Sequence, residues 1–145
     1  MVDKDLIKTK IALIHRDLER LMALRDLSID EIVADFYKWS TLKLLLVEII
    51  GRAIDINAHI ISEAGDPNVS VPASSRETFV RLGEMGVLPM AFAAEIAKSV
   101  GFRNRVVHEY NDLIADKVYH SVSDALAQYT RYCGFILTYV GSKDS

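Results

Sequence analysis

Apolar residues recur along this chain in steps of three and four. From Asp3 to Leu27 they fall at Leu6, Ile7, Ile11, Ile14, Leu18, Leu21, Met22 and Leu24, which marks one face of a helix. Ser28-Ile-Asp-Glu31 has the form of a capping box, a hydroxyl and a carboxylate three residues apart that satisfy early backbone N–H groups. It predicts a second helical region from there, kinked near Tyr37 to Thr41 and continuing through LKLLLVEIIGRAIDINAHIISEAG to about Gly65. Asp66 to Ser75, DPNVSVPASS, reads as a loop. Ser74-Ser-Arg-Glu77 repeats the capping pattern and opens a short helix that stops near Gly86. Pro89 suits the first turn of the next helix, where its missing N–H costs nothing, and that helix carries AFAAEIAKSV directly into GFRNRVVHEY. After a polar break, NDLIAD, a last helix is expected over about Asp116 to Val140, with Val118, Val122, Leu126, Tyr129, Cys133, Ile136 and Val140 inward. No segment alternates with period two for long enough to propose a sheet. The expectation is all-α: an up-and-down bundle of about five helices.

Composition narrows this picture. A chain of 145 residues, half of them hydrophobic and 26% charged, fits one folded domain spanning 1–145. The net charge of −3 rules against a bulk field that captures nucleic acid, so any such contact must be local. The single Cys133 excludes an internal disulfide and a cysteine-built zinc site. Its apolar surroundings predict a buried, inert thiol. The longest apolar stretch, LLLVEII, is interrupted by Glu48 and is far short of a span of ~20 residues. MVDKDLIKTK has no signal-peptide run, so the expected location is cytoplasmic, away from membranes.

The candidate chemistry is sparse. His15 beside Arg16 and Asp17 reads as surface, and His120 has no evident partner in sequence. Asp55, His59 and Glu63, at steps of four, form the best metal stripe. They read more simply as a solvated face with i,i+4 charge pairing, and no metal or cofactor is expected. There is no glycine-rich phosphate loop, and nothing supports a serine or cysteine hydrolase. GFRNRVVHEY, residues 101–110, is different. Arg103 carries a fork of donors that fits a phosphate, and His108 can exchange a proton near neutral pH. Asn104 stands one turn before His108. Such a set could cleave RNA without a metal, the histidine deprotonating a ribose 2′-hydroxyl and the arginine steadying charge on the phosphorane. An ideal helix, however, sets Arg103 and His108 about 140° apart. Either the helix distorts near its end, or two copies of the site meet across a two-fold axis. The latter would double the local cations Lys98, Arg103 and Arg105. On chemistry alone, a solvated helix end stays open beside a site.

The pattern Arg103-Asn104-x-x-x-His108-x-Tyr110 resembles the R-x4-H-x-Y signature of the HepT-like branch of the HEPN superfamily. SSRETFVRLGEMGVLP ahead of it and LLLVEIIGRAIDINAHIISE as a long central helix are similar to that family as well. The resemblance covers nearly the whole chain and implies a helical bundle that dimerises, with the motifs lining a cleft at the interface. It implies a metal-independent endoribonuclease toxin with Arg103 and His108 catalytic and Asn104 in support. Arg105 and Lys98 are neighbours suited to RNA contact. It also implies a partner, a small MNT-type nucleotidyltransferase antitoxin that transfers AMP from ATP to Tyr110. The added phosphate would then block the site by charge and bulk. The competing reading is a non-catalytic subunit that presents a substrate or nucleotide to the nucleotidyltransferase.

Overall fold

The structure, a computed structural model, describes residues 1–108 and 115–142, and of His108 the backbone alone. Seven helices occupy these residues: α1 (Lys4–Arg25), α2 (Ile29–Ala34), α3 (Phe36–Ala64), α4 (Ser75–Glu84), α5 (Met90–Ile96), α6 (Ser99–His108) and α7 (Ala115–Ser142). The all-α bundle is as expected, but two of the anticipated helices are each divided. Asp35 divides the second region: its backbone is extended and its carboxylate accepts from the N–H groups of Tyr37 and Lys38, capping α3 anew. The break therefore falls just before the expected kink and is a full restart. Between α5 and α6 the chain tightens into i→i+3 bonds, Lys98 N–H to Glu95 O and Val100 N–H to Ala97 O. The Ser99 hydroxyl donates to Ile96 O (2.7 Å). This local competition for backbone carbonyls interrupts the α ladder and sets α6 off as its own element.

The long helices α1, α3 and α7 carry the core. α1 runs antiparallel to α3: Asp3 N–H donates to His59 Nε2 (2.9 Å), Lys10 pairs with Asp55 (3.6 Å), and Asp17 pairs with Arg52. The Tyr119 hydroxyl, early in α7, donates to Arg25 O and Leu27 O at the far end of α1, so α7 is antiparallel to α1 and parallel to α3. All seven apolar positions expected of α7 are buried, as are Ile7, Ile11, Ile14, Leu18 and Leu21 of α1, whereas Leu6 and Met22 lie outside. The core is not wholly apolar. The Tyr132 hydroxyl donates to Asn57 Oδ1 (2.6 Å), Asn57 Nδ2 to the Thr78 hydroxyl (3.2 Å), and Thr78 to Ser75 O (2.6 Å). This chain ties α7, α3 and α4 together with its polar atoms satisfied. Among the described residues no helix is long and apolar enough to cross a membrane.

Candidate functional site

α6 lies on α3 with α4 and α5 alongside, and its start is pinned to α7. The hydroxyls of Ser99 and Tyr129 are 2.6 Å apart. Burial holds the Tyr129 phenol protonated well above the usual range, the hydrogen bond to Ser99 offsetting it only in part. Four residues on, the Arg103 side chain crosses α3 at Gly51, where an added Cβ would sit 3.9 Å from Nε. Arg103 is half-buried, and its Nε is shielded from solvent with no hydrogen-bond partner among the described residues. A buried donor left unmet costs about 1–3 kcal/mol. The guanidinium is thus held in place by packing, with no carboxylate to neutralise it among the described residues.

α6 stays α-helical from Ser99 to His108. The distortion that would bring positions 103 and 108 onto one face does not occur, and they remain about 140° apart. Positions 104 and 108 share the outer ridge, where Asn104 is exposed. Arg105 faces the other flank, about 160° from Arg103. Its guanidinium lies back along the helix, 3.9 Å from where a Cβ on Gly101 would be. Arg105 and Lys98 line a cavity of about 240 Å³ between α6, α7 and α3, and the Lys98 ammonium is bound to Glu95 (3.1 Å). The three cations therefore do not form one patch: Lys98 and Arg105 are together, and Arg103 is alone on the α3 side. Tyr110 lies outside the described residues.

The other candidates have ordinary explanations. Asp55 pairs with Lys10 and His59 accepts from the Asp3 N–H, so both are engaged by residues near the start of the chain. Glu63 meets the terminal amino group (2.5 Å), whose hydrogen bond and charge hold its carboxyl below the usual range. No group of three or more metal-binding side chains occurs among the described residues. His120 Nδ1 is 2.6 Å from Asp116 O on its own helix. Burial pushes the Cys133 thiol up to about 12, which keeps it from forming a reactive thiolate. A larger cavity, about 630 Å³, sits beneath the 65–72 segment against Ile61, Arg81 and Met85, and no residue of 101–108 lines it.

Sequence reasoning passed over Gly51, Ser99, Tyr129 and the α7 residues facing α6. Gly51 stands out in sequence only as a lone glycine inside a long helical pattern, a local propensity cost that does not pair it with Arg103. The rest are pairings across elements that no local pattern encodes.

Comparison with known proteins bears on the family and the fold. The family model described as "Ribonuclease HepT-like" matches residues 14–136. The tRNA nuclease HepT of Aphanizomenon flos-aquae is 34% identical over 96% of this chain and 92% of its own length. The mRNA nuclease HepT of Shewanella oneidensis is 29% identical over 91% and 96%. Among solved structures, the tri-AMPylated Shewanella oneidensis HEPN toxin in complex with MNT antitoxin superposes with a TM-score of 0.81 at 28% identity, over 92% of this chain and 98% of that one. The match runs through α6 and most of the bundle that positions it, and the chain belongs to the HepT-like ribonuclease family.

Proposed function

We propose that this chain, acting as one domain, is a metal-independent endoribonuclease toxin that works as a homodimer and is neutralised by an MNT-type nucleotidyltransferase antitoxin. The observation that carries the reading is Arg103: a guanidinium packed against Gly51, with a shielded Nε and no acidic partner among the described residues, on the helix that bears His108. A purely structural arginine would be expected to find a carboxylate. One left unpaired is suited to an anion brought by a ligand.

In the mechanism, His108 removes the proton from a ribose 2′-hydroxyl. The resulting oxygen attacks the adjacent phosphorus, and the 5′-oxygen of the next nucleotide leaves as a hydroxyl on taking a proton from solvent, to which His108 returns its own, giving a 2′,3′-cyclic phosphate. Arg103 stabilises the charge gathered on the phosphoryl oxygens, and Asn104 supports from the ridge it shares with position 108. With positions 103 and 108 about 140° apart on a regular helix, the pair acting on one phosphate comes from two copies of α6. Exposed apolar side chains support such a dimer. Tyr37, Leu44 and Gly51, seven residues apart, follow one line along α3. Tyr37 is 79% and Leu44 57% exposed, and Val107 of α6 is 49% exposed. AMP transferred from ATP to Tyr110 by the antitoxin would place negative charge and bulk at the site, consistent with the AMPylated state of the Shewanella toxin.

The test is end analysis of RNA incubated with unmodified protein in EDTA, beside His108→Ala. Fragments ending in 2′,3′-cyclic phosphate, lost in the variant while its helical circular dichroism is kept, are expected. Cleavage that EDTA abolishes would return attention to a metal. Folded dimer that cuts no RNA class would favour the non-catalytic partner of the nucleotidyltransferase.

A further inference from the structure

The α6–α7 cavity has a composition that the cleavage mechanism does not use. Its floor is apolar and belongs to the core: Leu46 and Ile50 of α3 with the half-buried ring of Phe102. Its rim is polar. Arg105 stands on the α6 side, and Asp124 and Gln128, one turn apart on α7, stand opposite. Lys98 is neutralised by Glu95. Neither Arg105 nor Asp124 takes part in an ion pair or side-chain hydrogen bond with any described residue, although both border the same 240 Å³.

Two opposite charges that share a cavity without pairing select a particular ligand. It must offer acceptors to the guanidinium and donors to the carboxylate. A bare phosphate satisfies Arg105 but is repelled by Asp124. A flat ring with carbonyl and amino groups on its edge satisfies both and lays its faces on the apolar floor. The space is below the ~300 Å³ at which pockets for drug-sized ligands begin, enough for one ring system without its sugar and phosphate. Unstacked bases in single-stranded RNA are recognised in this way, by stacking and by hydrogen bonds to their edges.

We infer that the cavity bounded by Arg105, Asp124 and Gln128 is a nucleobase subsite, which receives a guanine or cytosine next to the scissile phosphate and sets the cleavage preference of the enzyme. Position 105 is about 60° around α6 from position 108, so a base seated there flanks the ridge that carries the histidine. Asp124 accepts from the amino group of the base, and Arg105 donates to its carbonyl. Uracil lacks the amino group and adenine the carbonyl. This inference rests on the ribonuclease reading for its position beside the scissile phosphate, and on the cavity alone for its selectivity.

The experiment pairs binding with cleavage. Short single-stranded oligoribonucleotides that differ in one base are used in two forms, all-ribose and with a 2′-deoxy sugar at the scissile position. Fluorescence anisotropy on the deoxy form reports binding, and kcat/KM on the ribose form reports cleavage. The wild type is expected to favour guanine or cytosine over uracil at one position by about tenfold or more, as one good edge contact gives. Asp124→Asn exchanges two acceptors for an amide and should bring that ratio close to one. Asp124 is exposed, so the fold should tolerate the change, which circular dichroism checks. Base-independent binding and cleavage by the wild type overturn the inference, as does a preference that survives Asp124→Asn in full. If the deoxy forms bind selectively and no ribose form is cut, the base subsite stands and the ribonuclease reading falls. Cleavage without any base preference does the reverse.

Discussion

Arg103 and Arg105 stand two apart in sequence on opposite flanks of α6, and each side chain passes close to a glycine. At 3.9 Å a methyl group on Gly51 would make only ordinary contact with Arg103 Nε. Gly51→Ala should therefore leave RNA cleavage within about twofold and raise stability by about 0.5–1 kcal/mol, because alanine is the better helix former. Gly51→Leu would fill the path of the guanidinium and push it off α3. There we expect at least a tenfold loss of kcat/KM with circular dichroism unchanged, the scale on which a small misplacement acts in a pre-organised site. Equal activity in both variants would show that packing on α3 does not set the arginine. Part of this was legible in the chain: the residue types and spacing of 103–108 named the motif. The seat of Arg103 was not, because Gly51 precedes it by 52 positions and only the fold joins them.

At the scale of elements, α1 and α3 are joined by a charged cluster that the apolar periodicity does not announce. Asp17 is 2% exposed. It meets Arg52 of α3, Arg16 Nε at 3.2 Å and Arg20 Nη1 at 3.6 Å, while Arg52 also reaches Glu48 (3.3 Å). Removing the carboxylate would leave three guanidinium groups converging, of which only Arg52 keeps a counter-charge among the described residues, in Glu48. Asp17→Ala should cost about 3 kcal/mol, the lower end for breaking a buried pair because the Arg52 side chain keeps 18% exposure. A urea titration with unchanged slope and an earlier midpoint would register it, and an unmoved midpoint would mean the cluster adds nothing. In sequence, His-Arg-Asp at 15–17 reads as surface, since charge alone does not reveal which side of α1 faces α3. The element boundaries follow the same logic. Capping at Ser28 and Ser74 could be read because those hydrogen bonds are local. The restart at Asp35 and the break after Ile96 depend on single side chains competing for backbone groups within otherwise continuous helical patterns.

For the whole molecule, the decisive quantity is the 140° between positions 103 and 108 on an unbroken α6. Nothing within one chain closes that angle among the described residues. The apolar line from Tyr37 through Leu44 toward Gly51 is the exposed surface on which the proposed second copy would sit. Under the proposed dimer each active site takes Arg103 from one protomer and His108 from its partner. Arg103→Ala and His108→Ala homodimers are then both inactive, each lacking one group at both sites. A heterodimer of the two variants holds one site with both groups intact and one with neither. Isolated by differently tagged co-expression, it should recover about half of the wild-type activity per dimer. A site complete within one protomer predicts instead that the heterodimer stays as inactive as its parents, because each chain would still lack one of its own two groups. Recovery measured against dilution supplies the remaining control: activity regained through subunit exchange should fall as the dimer dissociates, and Leu44→Asp should weaken that dimer without touching Arg103 or His108.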